Sequence, residues 1–385
     1  MLFFLYPYTK NRFNLFVSSK FLLLKLKIIM KTCILGDGLT SLALAKILVK
    51  RNIAVDLLTE NKSIKYSNSR TFGITKKNYD FFSNEILNLN KISWKLENIE
   101  VYTENLPNEK ILDFKKNNSE IFSIIRNSQL YKNLNIDLKS NKFFKKKLIK
   151  NNNLSILDQY DLIFNCNKNH LITKKFFSKK IEKKYESTAY TAIIKHKKIY
   201  NKSAIQIFTK IGPIAFLPIS NTETSIVYSI NTRNSVDLET LIKKYNTQYS
   251  NLKIFGAKSF ALESLNLRKY FYNNILCFGD LIHKIHPLAG QGFNMTIRDI
   301  IDLSKILDDK IDLGLELNSS IFDEFERKTK HRNFIFSQGV DMIYNFFDKE
   351  RRINGEFISN SLKHLGKNKY FKEIFSKFAD EGLTL

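Results

Sequence analysis

Apolar runs separated by a glycine-rich turn open the regular part of this chain. Residues 31–35, which end in the apolar residues Cys33 to Leu35, predict a strand, and the mostly apolar residues 42–49 predict a helix. A second apolar run at 53–58 predicts another strand. The turn between the first strand and the helix contains Gly36 and Gly38. This order of strand, glycine turn, helix and strand is that of a dinucleotide-binding βαβ unit.

Each position of this unit has a defined chemical task. Gly36 permits a tight turn, and Gly38 lets the backbone approach a pyrophosphate. Glu60, after the second strand, is expected to accept hydrogen bonds from ribose hydroxyls. Ser41 stands where a third glycine is usual, and its small side chain still lets the helix pack on the strand. The unit alone fits either NAD or FAD.

A second stretch, 275–303, combines a strand, an acidic turn, a glycine-rich loop and a helix. It opens with an apolar run, and apolar residues recur at helical spacing from Asn294 onward. Gly290 and Gly292 lie between these elements and let a flat ligand approach the backbone, because they carry no Cβ. The helix start favours an anionic or electron-rich group. Asp280, at the end of the strand, can accept hydrogen bonds from sugar or ribityl hydroxyls.

The polar positions of this stretch follow a fixed order. They are Gly279, Asp280, His283, His286, Pro287, Gly290, Gln291, Gly292, Asn294 and Asp299. In order and spacing they resemble the second FAD motif of the flavin-dependent aromatic hydroxylases, most closely that of the ubiquinone-biosynthesis branch. The departures are Leu281 and Ile282 for two alanines and Thr296 for the last glycine. The resemblance implies a para-hydroxybenzoate-hydroxylase-like fold of mixed α/β (α+β) class, with an FAD-binding Rossmann-like domain and a second, β-sheet substrate domain.

The resemblance also implies roles for single residues. In that family the aspartate contacts the ribityl chain, which points to Asp280, and the loop corresponding to 287–294 lies along the isoalloxazine ring. The segment 69–75 resembles a family segment whose arginine lies near the flavin, and Arg70 is the matching position. The implied cofactors are FAD and, as electron donor, NAD(P)H. The expected cofactor-binding residues are Gly36, Gly38, Ser41, Glu60, Arg70, Gly279, Asp280, Pro287, Gly290, Gln291, Gly292 and Asn294.

One segment departs from the family pattern. Where the family has glycine, aspartate and glycine, this chain has Asn165, Asn167 and Lys168. Asn167 keeps a hydrogen-bonding side chain but loses the charge, and Lys168 loses the ease with which glycine adopts positive φ. FAD binding stays compatible with these changes, whereas reduction by a nicotinamide cofactor is brought into question.

Strand-like alternation over 185–264 predicts a substrate-binding sheet. Within it, the segment 210–219 resembles the proline-rich strand of the family, which lies near the reacting ring. The same glycine and prolines also fit the punctuation of an edge strand without a chemical role. The substrate-cavity positions that the resemblance implies are Gly212, Pro213, Phe216 and Pro218.

These elements predict a discontinuous FAD-binding domain, a substrate sheet and two terminal segments. Residues 1–29 are expected to be an extension outside the fold, with a weak interfacial membrane anchor as the alternative. Residues 346–385 are predicted to form a C-terminal helical segment. The amphipathic stretches 341–347 and 371–379 are expected to pack on the flavin domain, and the aromatic tail also fits contact with a membrane or a partner. The FAD-binding domain is predicted at 30–97, 117–180 and 265–345, and the substrate sheet at 98–116 and 181–264.

Composition refines this picture. The formal net charge is +25, but the lysines are spread along the whole chain, which argues against nucleic acid and fits only a loose attraction to an anionic membrane face. The cysteines Cys33, Cys166 and Cys277 are too few and too scattered for a disulfide framework or a metal site, and they fit a reducing cytoplasm. Basic residues break the apolar runs of 1–29, so no membrane helix is predicted there. No small-residue cleavage site ends the segment, so no signal peptide is predicted either.

The resemblance implies a reaction that the cofactor carries. In the family, NAD(P)H reduces FAD, O2 attacks the flavin, and the resulting hydroperoxide transfers an OH group to an activated ring. For this chain the implied reaction is ring hydroxylation of a prenylated phenol in ubiquinone biosynthesis. No catalytic side chain is then required. His283 and His286 fit a general base or residues that shape the loop, and the second interpretation is favoured.

Other classes of function stay open. The altered segment 165–168 favours an FAD-binding protein that no longer hydroxylates and serves as a scaffold in a biosynthetic complex. A related prenyl reductase is a further alternative. The partners expected from the resemblance are a prenylated aromatic molecule, O2, other ubiquinone-biosynthesis proteins and the inner face of a membrane.

Overall fold

Two large β-sheets with helices around them form the molecule. The computed structural model describes residues 30–60, 68–107, 109–115, 120–149, 154–231, 237–287, 290–352 and 356–381. The extension predicted at 1–29 therefore lies outside the described residues. So do Leu288 and Ala289 of the predicted flavin loop.

Strands and helices alternate through most of the chain. In chain order the strands are β1 (Lys31–Leu35), β2 (Ala54–Thr59), β3 (Thr71–Thr75), β4 (Ser93–Leu96), β5 (Asn98–Thr103), β6 (Lys110–Lys115), β7 (Phe122–Arg126), β8 (Phe144–Leu148), β9 (Leu162–Asn165), β10 (Lys180–Lys195), β11 (Ser203–Thr209), β12 (Gly212–Pro218), β13 (Glu223–Ile230), β14 (Lys253–Leu267), β15 (Phe271–Tyr272), β16 (Ile275–Cys277) and β17 (His283–Lys284). The helices are α1 (Leu39–Lys50), α2 (Lys76–Glu85), α3 (Asn127–Lys139), α4 (Leu171–Phe176), α5 (Leu238–Tyr245), α6 (Gln291–Asp312), α7 (Ser320–Arg352), α8 (Phe357–Leu365) and α9 (Lys369–Glu381). Short 3-10 turns occur at Leu154–Gln159 and Gly279–Leu281.

The first sheet contains the predicted βαβ unit. Its order within the described residues is β15-β16-β9-β1-β2-β8, and β1 pairs in parallel with both β2 and β9. Cys33 and Leu57 are fully buried, as expected for central strands covered on both faces, and this explains their continuous apolar runs. The βαβ prediction is confirmed. Helix α1 begins at Leu39, earlier than predicted, because Gly38 in an extended conformation already serves as its N-cap.

The second sheet has the order β17-β14-β10-β13-β12-β11-β5-β6 within the described residues. Neighbouring strands are antiparallel except β11 and β5, which are parallel. Helix α5 covers one face, where Ile242 packs in a buried cluster with Phe216 and Tyr228. The opposite face lines a cavity. A small third sheet, β3-β7-β4, lies beside the second sheet.

The domain boundaries differ in detail from the predicted ones. Strand β14 continues to Leu267, so the predicted boundary at 264/265 falls inside it. Strand β10 starts at Lys180 and likewise crosses the predicted boundary at 180/181. Strand β17, predicted within the FAD-binding domain, pairs with β14 of the second sheet. The cause is that long strands run from one domain into the other without a turn that the sequence would mark.

The long helix α7 links the two sheets. Near its start, Phe322 and Phe325 are buried in the core of the first sheet. Near its end, the Phe347 ring stacks on Phe208 of β11, with ring centroids 3.5 Å apart. Within the described residues, no helix is both long and apolar enough to cross a lipid bilayer.

The helices after α7 lie against the outer edge of the second sheet. Helix α8 packs on β6, and a Cβ added at Gly366 would come within 2.7 Å of the Ile111 carbonyl oxygen. Lys372 of α9 forms an ion pair with Asp113 of β6, and α9 also contacts α2. Helix α9 contains the stretch 371–379 that is predicted to pack on the flavin domain, and it contacts both α2 of the predicted flavin domain and β6 of the second sheet. The apolar residues of α8 complete the wall of the substrate sheet.

Candidate cofactor and substrate site

A single large cavity joins the two sheets. It has a volume of about 1970 Å³ and lies between the turn that follows β1, the loop before α6, the open face of the second sheet and helices α7 to α9. Its lining is mostly apolar on the side of the second sheet and polar near the start of α1. The cavity therefore has a cofactor end and a substrate end.

The start of α1 forms the polar wall of the cofactor end. Gly36 turns the chain with a φ of +104°, and a Cβ there would touch Asn167 at 3.4 Å. Gly38, Thr40 and Ser41 line the cavity. The N-cap Gly38 supplies no side-chain hydrogen bond, and no acidic residue occupies the first turn of α1. The free N–H groups and the positive end of the helix dipole therefore fit a pyrophosphate.

A close contact fixes the acidic turn against this helix. Gly279 adopts a φ of +67°, and a Cβ there would lie 2.6 Å from Thr40 Cγ2. This contact brings the turn after β16 beside the start of α1. The exposed Asp280 lines the same cavity. A carboxylate held beside a pyrophosphate site fits the predicted contact with a ribityl chain.

The loop before α6 leaves room for a flat ligand. Pro287, Gly290, Gln291 and Gly292 all line the cavity. Gly290 has a φ of +64°, and a Cβ there would approach the backbone nitrogen of Gly73 to 3.3 Å. A Cβ at Gly292 would have no atom within 4 Å. The open side of the loop at Gly292 fits the plane of an isoalloxazine ring.

The Asn294 side chain ties the flavin loop to β3. It is fully buried, and its Oδ1 accepts hydrogen bonds from the Thr75 backbone N–H and from Asn78 Nδ2, both at 3.0 Å. Its Nδ2 donates to the Gly73 carbonyl at 3.0 Å. These bonds occupy the amide, and Asn294 does not line the cavity. Asn294 thus positions the loop, and its predicted contact with the cofactor stays a prediction.

Arg70 and Glu60 have different settings. Arg70 lines the cavity, and its guanidinium lies over the Phe260 ring, 5.5 Å from the centroid. Its predicted place near the flavin is compatible with this position. Glu60 is exposed at the end of β2 and does not line the cavity, and residues 61–67 after it lie outside the described part of the chain. Its role toward a ribose stays a prediction.

The segment that departs from the family pattern forms a turn of its own. Asn165 Nδ2 donates to Thr173 Oγ1 at 2.7 Å, and Asn165 Oδ1 accepts from the Asn167 backbone N–H at 3.0 Å. Asn167 Oδ1 in turn accepts from the Asn169 backbone N–H at 3.0 Å. Lys168 is not among the residues with positive φ. The asparagines thus hold a turn that has no need of a glycine at Lys168.

A cysteine lies at the cofactor end beside this turn. Cys166 lines the cavity, and burial raises the pKa of its thiol to about 12. The thiol therefore stays protonated at neutral pH. An uncharged, weakly reactive thiol is compatible with a bound dinucleotide, because it adds no negative charge near a pyrophosphate.

The two histidines of the motif have separate environments. The buried His283 touches the cavity wall, and its Nε2 lies 2.5 Å from Asp299 Oδ2. Its partner is thus a carboxylate of α6. His286 is buried outside the cavity lining, with its ring 5.1 Å from that of Tyr185 and 4.3 Å from that of Tyr344. Both positions favour shaping of the loop over base catalysis.

Three of the predicted substrate-cavity residues, Gly212, Phe216 and Pro218, lie on the face of β12 that points away from the cavity. Successive side chains of a strand point to opposite faces, so a one-residue error in phase accounts for these three. Pro213 is on the same face as Ala215 and Leu217, which line the cavity, but it does not itself line it. Phe216 packs under α5 instead. The edge-strand alternative is also wrong, because β12 lies between β11 and β13.

Several cavity residues were missed by the sequence reasoning. Phe208, Phe347 and Leu362 lie far apart in sequence but line one apolar region below α7 and α8. Thr191 and Gln206 are polar positions on the same sheet face. The period-two pattern of β10 and β11 could have identified the last two, whereas the helices could not be placed without the fold.

Comparison with solved structures defines the class of fold. The chain superposes on the p-nitrophenol 4-monooxygenase PnpA from Pseudomonas putida DLL-E4 with a TM-score of 0.72 and 11% identity, over 92% of this chain and 98% of that one. Klebsiella pneumoniae HpxO, solved with FAD and uric acid, gives a TM-score of 0.70 and 10% identity, over 92% and 96%. The fold is that of the FAD-dependent aromatic monooxygenases, as the sequence predicted.

Sequence similarity points to one group of proteins within the class of FAD-dependent aromatic monooxygenases. The family described as FAD binding domain matches residues 231–312. The 3-demethoxyubiquinol 3-hydroxylase of Escherichia coli (strain K12) is 29% identical over 155 residues, or 38% of this chain and 40% of that protein. The mitochondrial ubiquinone biosynthesis monooxygenase COQ6 of Caenorhabditis elegans is 24% identical over 193 residues, or 38% and 43%. In the matched part the chain is therefore similar to ubiquinone-biosynthesis hydroxylases, and it spans about two fifths of the length of these relatives. The resemblance and the predicted FAD cofactor are confirmed.

Proposed function

We propose that the protein is an FAD-dependent monooxygenase that uses O2 and NAD(P)H to hydroxylate the ring of a prenylated phenol in ubiquinone biosynthesis. The observation that supports this proposal most directly is one cavity that joins a dinucleotide-type cofactor end to a large apolar substrate end. The first end fits FAD in its uncapped helix start and its open backbone at Gly292. The second end fits an aromatic ring with an isoprenoid tail, because its walls are aromatic and aliphatic.

The chain's own residues bind and orient the reactants. The N–H groups at the start of α1 would hold the pyrophosphate, and Asp280 would hold the ribityl hydroxyls. The loop from Pro287 to Gly292 would lie along the flavin ring. Bound FAD supplies the activation of O2.

Exclusion of water is the second task of the protein. The stacked rings of Phe208 and Phe347 close the cavity where β11 meets α7. Leu112 and Leu362 extend this apolar wall to β6 and α8. A dry, apolar enclosure would limit side reactions of the bound cofactor with water. This enclosure also explains why the site needs no acid–base triad.

The same helices support a place at the cytoplasmic face of a membrane. Phe357 of α8 and Ile374 of α9 are 81% and 51% exposed, yet both also line the cavity. Tyr370 beside them is 72% exposed, and the neighbouring Lys369 is exposed as well. An apolar surface that continues into the cavity would let a lipid substrate enter from an anionic bilayer, toward which the net charge of +25 attracts the protein.

The activity has a direct test. The FAD-loaded protein is incubated with a short-chain prenylated phenol, NAD(P)H and isotopically labelled O2, and the products are analysed by mass spectrometry. The product is expected to carry one labelled oxygen atom, in a new hydroxyl group on the ring. A reaction without O2 is expected to give no labelled product. Oxidation of NAD(P)H without any labelled phenol would contradict the proposal.

A flavoprotein that does not hydroxylate is the second candidate, and one observation favours it. Asn167 and Lys168 replace the family's aspartate and glycine beside the cofactor end, so the reductive step is the part most open to change. This candidate predicts bound FAD without labelled product. A prenyl reductase would instead add two hydrogen atoms to the isoprenoid tail, which the same mass spectra would show.

A further inference from the structure

Four side chains form a straight row across the open face of the second sheet. Thr191 of β10 is paired with Val227 of β13, Val227 with Ala215 of β12, and Ala215 with Gln206 of β11. All four line the cavity. We call them the floor row. Its ends are polar, and its centre consists of two small apolar residues.

The floor row lies next to the flavin domain. Ser225 is two residues before Val227 on the same face of β13, and its Oγ accepts a hydrogen bond from Thr71 Oγ1 at 2.7 Å. Thr71 follows Arg70 and begins β3. Two residues of a strand span about 7 Å, so Val227, an inner member of the row, lies one side-chain step from the contact between the two domains. A ring held on this floor is therefore placed toward the flavin end of the cavity.

The centre of the row leaves space, and its ends can form hydrogen bonds. Ala215 and Val227 are short, so an aromatic ring can lie over them. Gln206 is half-buried, and within the described part of the chain its amide is not tied to another side chain. Burying an amide without a partner is costly, which favours a ligand that supplies one. Thr191 and Gln206 are three strand spacings apart, about 14 Å between Cα atoms, and this suits one ring with polar groups at both edges.

Charge is absent from this floor. Among the described residues, the cavity-facing positions of β10 to β13 are uncharged, and the lining cations lie elsewhere, such as Arg70 at the flavin end and Lys372 on α9. A carboxylate held over Ala215 and Val227 would lose its hydration without gaining a counter-ion from the four strands that form the floor. A buried, unpaired carboxylate is strongly disfavoured.

We propose that the floor row is a ring-binding subsite in which Gln206 and Thr191 orient an uncharged phenol, so that the protein selects it over the same phenol with a ring carboxylate. This inference rests on the proposed function, since it names the class of ring that the hydroxylase accepts. Gln206 binds one oxygen substituent through its amide, and Thr191 binds a second through its hydroxyl.

The test is calorimetric binding to the FAD-loaded protein, which needs no turnover. The probes are a short-chain prenylated phenol and its ring-carboxylated counterpart. The wild-type protein is expected to bind the uncharged probe on the order of tenfold more tightly or better. Gln206→Leu is expected to weaken this binding about tenfold, and Thr191→Val by less, as for neutral hydrogen bonds. Gln206→Arg is expected to improve binding of the carboxylated probe, since it adds the missing counter-ion.

The matched control is Gln248→Leu, which makes the same change at an exposed position outside the cavity. Thermal unfolding of every variant separates lost binding from lost folding. Equal affinity of the wild-type protein for both probes would overturn the inference, as would unchanged binding after Gln206→Leu. Binding with the expected preference but without labelled product would support the subsite and contradict only the proposed hydroxylation.

Discussion

The two ends of the cavity are built in different ways. At the cofactor end, the shape of the surface depends on backbone turns at Gly36, Gly279 and Gly290 and on the free start of α1. At the substrate end the surface is made of side chains, such as those of Phe208 and Phe347, brought together from distant parts of the chain. A backbone surface tolerates almost no added atom, whereas a side-chain surface can be reshaped one residue at a time. We therefore expect fixed chemistry at one end and adjustable specificity at the other.

The largest expected effect is at Gly279. Gly279→Ala would place a Cβ 2.6 Å from Thr40 Cγ2 at a φ of +67°. The left-handed backbone alone costs about 1 kcal/mol, and the clash adds about 1–3 kcal/mol. Urea unfolding should show the summed loss of stability, and the purified protein should retain less FAD.

Gly314 provides the matched control for this substitution. It has the same φ of +67°, but a Cβ there would meet no atom within 4 Å. Gly314→Ala should therefore lose only the backbone part, about 1 kcal/mol, and keep its FAD. Equal losses in the two variants would show that the contact of Gly279 with Thr40 has no special weight.

A substitution at Gly292 should affect FAD binding without lowering the stability of the fold. In the protein without ligand, a Cβ at Gly292 has open space around it, so Gly292→Ala should leave unfolding unchanged or raise the stability slightly. If a flat cofactor occupies that space, overpacking should weaken FAD binding about tenfold. Fluorescence titration with FAD measures this affinity. Unaltered FAD affinity would place the ring elsewhere.

The apolar surface of the substrate end should respond more gradually. Replacing both Phe357 and Ile374 by serine should lower binding to anionic phospholipid vesicles on the order of tenfold, because each side chain contributes apolar area. Leu313→Ser is the control, since Leu313 is 74% exposed but lies outside the cavity lining. Vesicle flotation compares the variants. An equal loss with Leu313→Ser would argue against a defined docking surface.

The smallest expected effect concerns the thiol at the cofactor end. Burial raises the pKa of Cys166 from 9.0 to about 12, so in alkaline solution the unfolded chain loses this proton first. The stabilisation is then complete below pH 9 and is lost as the pH rises toward 12. Cys166→Ala should therefore show a shallower loss of stability between pH 8 and pH 10.5 in urea unfolding. Identical slopes in the two proteins would mean that the thiol titrates normally.

The difference between the two ends also explains what the sequence could predict. Gly36, Gly290 and Asp280 act through local backbone geometry at fixed spacing, so their place in the cavity or at its turns follows from the motif. Asn294 belongs to the same motif, but its partners lie at 73–78, far away in sequence, and its role as a tie to β3 could not be foreseen.

Strand phase and helix packing limited the rest. Phe216 and Ala215 differ by one position on β12, and the choice of face depends on α5, which covers the opposite side. The contact of Phe347 with Phe208 depends on where a long helix ends in space. Such features are decided by tertiary packing, and a pattern along one chain does not contain them.

The most direct test of the account is the visible absorption of the purified protein, followed by anaerobic addition of NADH or NADPH. We expect the flavin bands to bleach when NADH or NADPH is added, despite Asn167 and Lys168 at the cofactor end. Bands that persist would contradict the use of a nicotinamide donor. A protein without flavin bands, even after incubation with FAD, would contradict the central claim that this cavity is a flavin site.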